Sequence, residues 1–165
     1  MKHMHLIGVA AVSAIVVIAA FAFTGDAQTA RRTIVLKESD KGSLVNFIDN
    51  LPHSSEQRGA PVASLGDGLA ISTRLLDPAG NRAGRIEAAC SDVKQARLQG
   101  GAVFLCTAVA HLGDGDIFLS ARFAPVDGPS DVHGALTGGT GAYLGARGDF
   151  TSVGRTATDT FSILP

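Results

Sequence analysis

Few side chains in this sequence are placed to do chemistry, and their spacing narrows what that chemistry could be. Glu38, Asp40 and Asp49 lie close enough to offer paired carboxylates for general acid–base work, although the same three acids also fit a solvated surface. His53, His111 and His133 are far apart and lack H-x-x-x-H spacing, which argues against a histidine metal site. Asp114-Gly115-Asp116 lacks the acidic series of a calcium loop and reads as a hairpin turn. No G-x-S-x-G elbow is present, so nothing signals a hydrolase serine. Thr137 to Gly145 reads TGGTGAYLG and invites comparison with a dinucleotide-binding turn. The last glycine comes one residue late, and only 24 residues follow Gly141, too few for the βαβ unit and its ribose-binding acid. The segment reads instead as a glycine-rich turn between strands, with Tyr143 packed inward. Two cysteines, Cys90 and Cys106, complete the set.

Composition bounds what these residues can serve. The chain has 165 residues, with 14 Lys and Arg against 15 Asp and Glu. That is one domain with one core. A net charge of −1 argues against a general nucleic-acid or anionic-membrane binder, since both need a basic surface. Hydrophobic residues make up 45% and charged residues 18%, which excludes a disordered chain.

The N-terminus has the pattern of an export signal. Lys2 precedes an uncharged run from Leu6 to Phe23, and Gly25-Asp26-Ala27 puts small residues at the positions a signal peptidase reads. Residues 1–27 are therefore expected to be a signal peptide, with a helical apolar core, and residues 28–165 the mature domain. A cut after Ala22 is a second option. An uncleaved membrane anchor is the alternative, because a run of this length can just span a bilayer. Export leads to a secreted or extracytoplasmic space, where Cys90 and Cys106 are expected to pair. The chain-entropy argument gives a disulfide of that loop size about 3 kcal/mol. Two buried free thiols are the other reading.

The elements that must position these groups are strands. Gly and Asp clusters punctuate the mature chain at short intervals, at 77–81, 99–101, 113–115, 125–129 and 138–141. Between them lie eight runs of strand length: 33–38, 69–76, 83–90, 102–112, 116–123, 132–137, 146–153 and 156–163. Eight short runs with tight turns predict an all-β antiparallel barrel or sandwich. Residues 116–123 alternate, with Ile117, Leu119, Ala121 and Phe123 on one face; the mixed opposite face either lines a cavity or meets water. Leu51–Leu65 reads as a loop. Cys90 and Cys106 flank the turn near 98–101 about equally, so a hairpin would bring them together if its register allowed.

Across the mature chain a wider pattern appears. It comprises Gly66-Asp67, a strand ending Arg74-Leu75-Leu76-Asp77, Gly80 and Gly84, then Leu112-Gly113-Asp114-Gly115-Asp116. It ends with Gly138-Gly139-Thr140-Gly141-Ala142-Tyr143 and Gly145-Ala146-Arg147-Gly148. This resembles the allene oxide cyclase-like and dirigent-like family, in its exported bacterial branch, over roughly residues 33–163. The resemblance implies an eight-stranded antiparallel closed barrel, calycin-like and often trimeric. It also implies a hydrophobic small molecule as partner and steering of a reactive ligand without a cofactor. It places the family's catalytic glutamate at Val35 and its partner asparagine at Lys37. The serine that holds an ordered water falls at Ser43, a second asparagine of that water site at Thr73, and a cavity cysteine at Cys90. Asp67 joins them as a polar cavity candidate. With valine at the glutamate position, three functions stay open: a cofactor-free cyclase, isomerase or stereochemical director; a non-catalytic carrier of a lipophilic ligand; and an envelope-associated structural protein.

Overall fold

A computed structural model describes residues 31–50, 65–94, 101–125 and 130–165. The expected signal peptide, and the loop and turn residues at 51–64, 99–100 and 126–129, lie outside the described residues. The eight strands are β1 (Arg32–Ile48), β2 (Gly68–Leu76), β3 (Arg82–Lys94), β4 (Val103–Leu112), β5 (Gly115–Phe123), β6 (Val132–Gly139), β7 (Gly148–Val153) and β8 (Thr158–Ile163). A single 3-10 turn, Gly141–Tyr143, lies between β6 and β7. Each strand pairs antiparallel with its neighbour in sequence, and β8 returns to β1, with Arg32 opposite Ile163 and Lys37 opposite Thr158. The sheet is a closed barrel, which decides between the barrel and the sandwich.

The strand ends moved where local backbone chemistry required it. β1 runs on to Ile48, ten residues past the expected end at Glu38. Arg32 to Lys37 pair with β8, and Lys37 to Ser39 and Leu44 to Ile48 pair with β2, with a bulge between Ser39 and Leu44. Gly42, at φ 81°, supplies the left-handed residue within that bulge. β8 starts at Thr158 rather than Thr156 because Thr156 and Ala157 form the preceding turn, with Ala157 itself at φ 47°.

Period-two alternation gives the barrel its core. Ile117, Leu119 and Ala121 of β5 are buried, while Phe118, Ser120 and Arg122 face outward, so the mixed face of this strand meets water. One cluster fills the end of the barrel nearest the start of β1. It contains Leu36, Leu75, Ile117, Leu136, Phe150 and Phe161. Phe150 and Phe161 stack at 5.1 Å between centroids. Tyr143 folds inward from the 3-10 turn, as the sequence suggested, and carries the Arg32 guanidinium 5.0 Å from its ring centre. A second, smaller cluster at the other end holds Cys90, Phe104 and Cys106 against Ile71 and Phe123.

The glycine-rich segment has a packing reason. A Cβ on Gly141 would stand 2.2 Å from the Asp114 carbonyl oxygen, and one on Gly115 would stand 2.3 Å from that of Thr140. The two turns 113–115 and 140–143 therefore interlock backbone to backbone, tied by Thr140 N–H to Asp116 O and Ala142 N–H to Asp114 O, both 2.9 Å. Gly141 also sits at φ 57°. Cys90 and Cys106 are directly opposed on β3 and β4, with Cα atoms 4.0 Å apart, and form a disulfide.

Two outcomes follow. Replacing Gly141 with Ala forces the two turns apart, and we expect a loss of more than roughly 2 kcal/mol by urea denaturation. Replacing both cysteines with Ala lowers stability by about 3 kcal/mol while far-UV circular dichroism keeps its β signature.

Candidate functional site

A cavity of about 120 Å³ lies inside the barrel between the two apolar clusters. It exists because alanines stand where larger side chains would meet: Ala88 and Ala108 are directly opposed on β3 and β4, and Ala121 follows on β5. Most of the wall is apolar, formed by Ile71, Ile86, Leu119, Phe123 and Phe150 together with the disulfide. A larger open saddle of about 570 Å³ lies on the outer face over β3 to β6, around Ala89, Thr107, Phe118, Ser120 and Thr137. Glu87 is the saddle's one titratable side chain. The smaller interior space is the better candidate because Glu38, Thr73 and Ser152 line it and the buried acid Asp159 stands beside Glu38.

Those groups come from β1, β2, β7 and β8. Along β1, Ile34, Leu36 and Glu38 point inward, so the strand that supplies core residues carries a carboxylate at its next inward position. The Glu38 N–H is fixed to the Ala157 carbonyl at 2.8 Å. Ser152 of β7 donates its hydroxyl to Glu38 Oε1 at 3.4 Å. Asp159 of β8 is opposite both Ser152 and Leu36, on the inner face. It has no exposed surface, and its polar neighbours are the Ser152 hydroxyl and the Glu38 carboxyl. Burial pushes its pKa up to about 7, and the negative charge of Glu38 adds to the rise; a hydrogen bond from the Ser152 hydroxyl lowers it, and one with the Glu38 carboxyl raises it. Asp159 thus keeps its proton until about pH 7, beside Glu38. Thr73 of β2 adds a hydroxyl to the same wall.

The residues placed by resemblance are scattered. Val35, 43% exposed, and Lys37 lie on the outer face of β1, so neither lines the cavity. The inward positions of β1 are the even ones, and Glu38, three residues beyond Val35, takes the interior place. Ser43 sits in the β1 bulge and donates its hydroxyl to the Ser39 carbonyl. Asp67 is buried, but its Oδ1 accepts the Asn50 N–H at 3.0 Å, and its carbonyl accepts the Asp92 N–H at 2.7 Å. It braces the barrel end. Thr73 lines the cavity, and Cys90 does so as a disulfide sulfur rather than a thiol. Asp40 and Asp49 are exposed. His111 lies outside, bonded through Nδ1 to Asp116 at 2.8 Å. Among the described residues no three or more His, Cys, Asp or Glu group as metal ligands would.

Ser152 and Asp159 were not singled out in the sequence. The signal for Asp159 was an acid alternating with Phe161 and Ile163, at a position where a core residue belongs.

Comparison with known proteins agrees with this architecture. Residues 51–163 match the family described as allene oxide cyclase barrel like domain. The chain belongs to that family. A solved structure named pyocyanin demethylase shares the fold, with a TM-score of 0.59 and 23% identity; the match covers 82% of this chain and 100% of that one. No curated protein matches in sequence.

Asp159 binds its proton more tightly folded than unfolded, so its contribution to stability is complete below about pH 4 and is lost as pH rises through about 7. We expect roughly 2–3 kcal/mol to disappear between pH 5 and pH 8. Asp159→Asn, which mimics the protonated acid, should flatten that slope in urea denaturation series at the two pH values.

Proposed function

We propose that the protein is an extracytoplasmic barrel that encloses a compact hydrophobic small molecule and steers its isomerisation or cyclisation by proton transfer. The observation that carries this reading is Glu38, an acid in the wall of an apolar cavity, with the buried acid Asp159 beside it. Such a pair can take a proton from one atom of a ligand and return it to another, leaving no net redox change. Apolar walls confine the ligand and strengthen each polar contact. Thr73 and Ser152 supply hydroxyls to orient it. The structural neighbour, named as a demethylase of pyocyanin, is an instance of small-molecule chemistry hosted by this fold. The apolar leader and the disulfide support export.

Carriage without chemistry is the competing outcome. Native mass spectrometry after incubation with a lipophilic metabolite extract should show a retained ligand. Ala121→Leu should fill the cavity and cut retention at least about tenfold while circular dichroism is unchanged. Glu38→Gln should keep the ligand but slow its conversion by roughly a hundredfold. Full conversion by Glu38→Gln would sink the proton-transfer role, and no retained ligand would sink the cavity itself.

A further inference from the structure

The outer face of the barrel holds two cations opposite each other with no acid between them. Arg74 of β2 and Arg85 of β3 are directly opposed in the ladder. Thr73 and Leu75 are buried on the inner face, as is Ile86, so both arginines point outward. Directly opposed residues of an antiparallel pair have Cβ atoms about 4.5–5.5 Å apart, and like charges placed there are destabilising. Both side chains are nevertheless half-buried. Arg85 donates through Nη1 to the Ser72 hydroxyl. Arg74 makes no hydrogen bond or ion pair among the described residues, and its Nε is buried without an acceptor. Gly42 in the β1 bulge leaves room for this guanidinium, since a Cβ there would stand 3.2 Å from Arg74 Nη2. The neighbouring acids are occupied or turned to water. Glu87 accepts the Ser72 hydroxyl at 3.5 Å and lies 3.7 Å from His111 Nε2, Asp116 holds His111 Nδ1 at 2.8 Å, and Asp40 is exposed in the bulge. Lys37, opposite Leu76 and one outward position beyond Arg74, adds a third cation to the same side. A buried donor without an acceptor is costly, and a native one calls for an explanation such as an ion.

We propose that Arg74 and Arg85 form an oxyanion site on the outside of the barrel, where a phosphate-type tetrahedral anion, free or as the phosphate group of a larger molecule, bridges the two guanidiniums. The planar fork of arginine matches the oxygens of phosphate in a bidentate way. One anion can therefore accept from both side chains, give the buried Nε its acceptor, and replace mutual repulsion with attraction to a shared charge. A carboxylate has two oxygens and one charge and can satisfy one fork; a phosphate has enough oxygens and charge for both. The site lies on the opposite face of the sheet from the cavity, so it stands apart from the function proposed for the interior. Because the arginines are only half-buried, salt weakens the attraction.

Titration calorimetry with the folded protein, in phosphate-free buffer at pH 7.5 and constant low ionic strength, tests this with inorganic phosphate, glycerol phosphate and acetate. Inorganic phosphate should bind with a Kd below about 1 mM, and acetate at least about tenfold more weakly. Glycerol phosphate bound as tightly as phosphate would extend the site to phosphate esters. Co-sedimentation with vesicles of phosphatidylcholine and phosphatidic acid, absent with phosphatidylcholine alone, would make it a headgroup site. Inorganic phosphate binding alone would make it a site for the free ion. Each of these three results upholds the proposal. Arg74→Gln and Arg85→Gln should each weaken phosphate binding at least about tenfold, whereas Arg155→Gln, which removes an exposed cation from the β7–β8 turn, should leave it unchanged. Without phosphate, either of the first two variants should raise the melting temperature, because one of two opposed charges is gone; arginines that serve only to hold the sheet would lower it when replaced. Phosphate binding no tighter than acetate, or equal in wild type and in both glutamine variants, would overturn the proposal, as would no binding of any probe.

Discussion

The β1–β8 ladder is the constraint on which everything else depends. Six residue pairs, from Arg32 with Ile163 to Lys37 with Thr158, turn an open meander into a tube. Without that ladder the two outer strands would each present a row of unpaired amides, and the inner face would open to water. With it, each strand acquires an inside and an outside, and alternation along the chain becomes a map of core and surface. The bulge at 39–44 belongs to the same constraint. β1 is partner to β8 first and to β2 afterwards, and the irregularity lies beyond the stretch it shares with both.

Closure also sets the electrostatics. An acid on the last strand of an open sheet would be hydrated and ordinary. Inside the tube Asp159 loses its water, meets Glu38 across the seam, and holds its proton up to about pH 7. Glu38 comes from β1 and Asp159 from β8, so the strands that close the barrel also build the carboxyl pair. Fold and site share one seam, and the chemistry proposed for the barrel depends on the pairing that completes it. Apolar clusters flank this region on either side, and alanines on β3, β4 and β5 keep it from filling.

All eight strands were legible because Gly and Asp turns separate runs of strand length, and the inward face of β5 was legible from its alternation. The disulfide was legible as an expectation, since an export-like leader and two cysteines suffice for that; the register that opposes Cys90 to Cys106 is a property of the folded hairpin. The site was hardly legible. A match by position put the glutamate of the family at Val35, yet the register of β1 turns Val35 and Lys37 to the outside and Glu38 to the inside. A one-residue shift reverses every side chain of a strand, so resemblance along a sequence fixes neither face nor partner.

Amino-acid order alone determined the all-β class, the turns, the cysteine pair and the family pattern, because each depends on local backbone preference or on composition. Tertiary structure decided which acids meet. Glu38 and Asp159 lie 121 positions apart and become neighbours only when the first strand hydrogen-bonds to the last. Burial, and the pKa that follows from it, is a property of the closed tube, so no reading of either residue in its own segment could have supplied it.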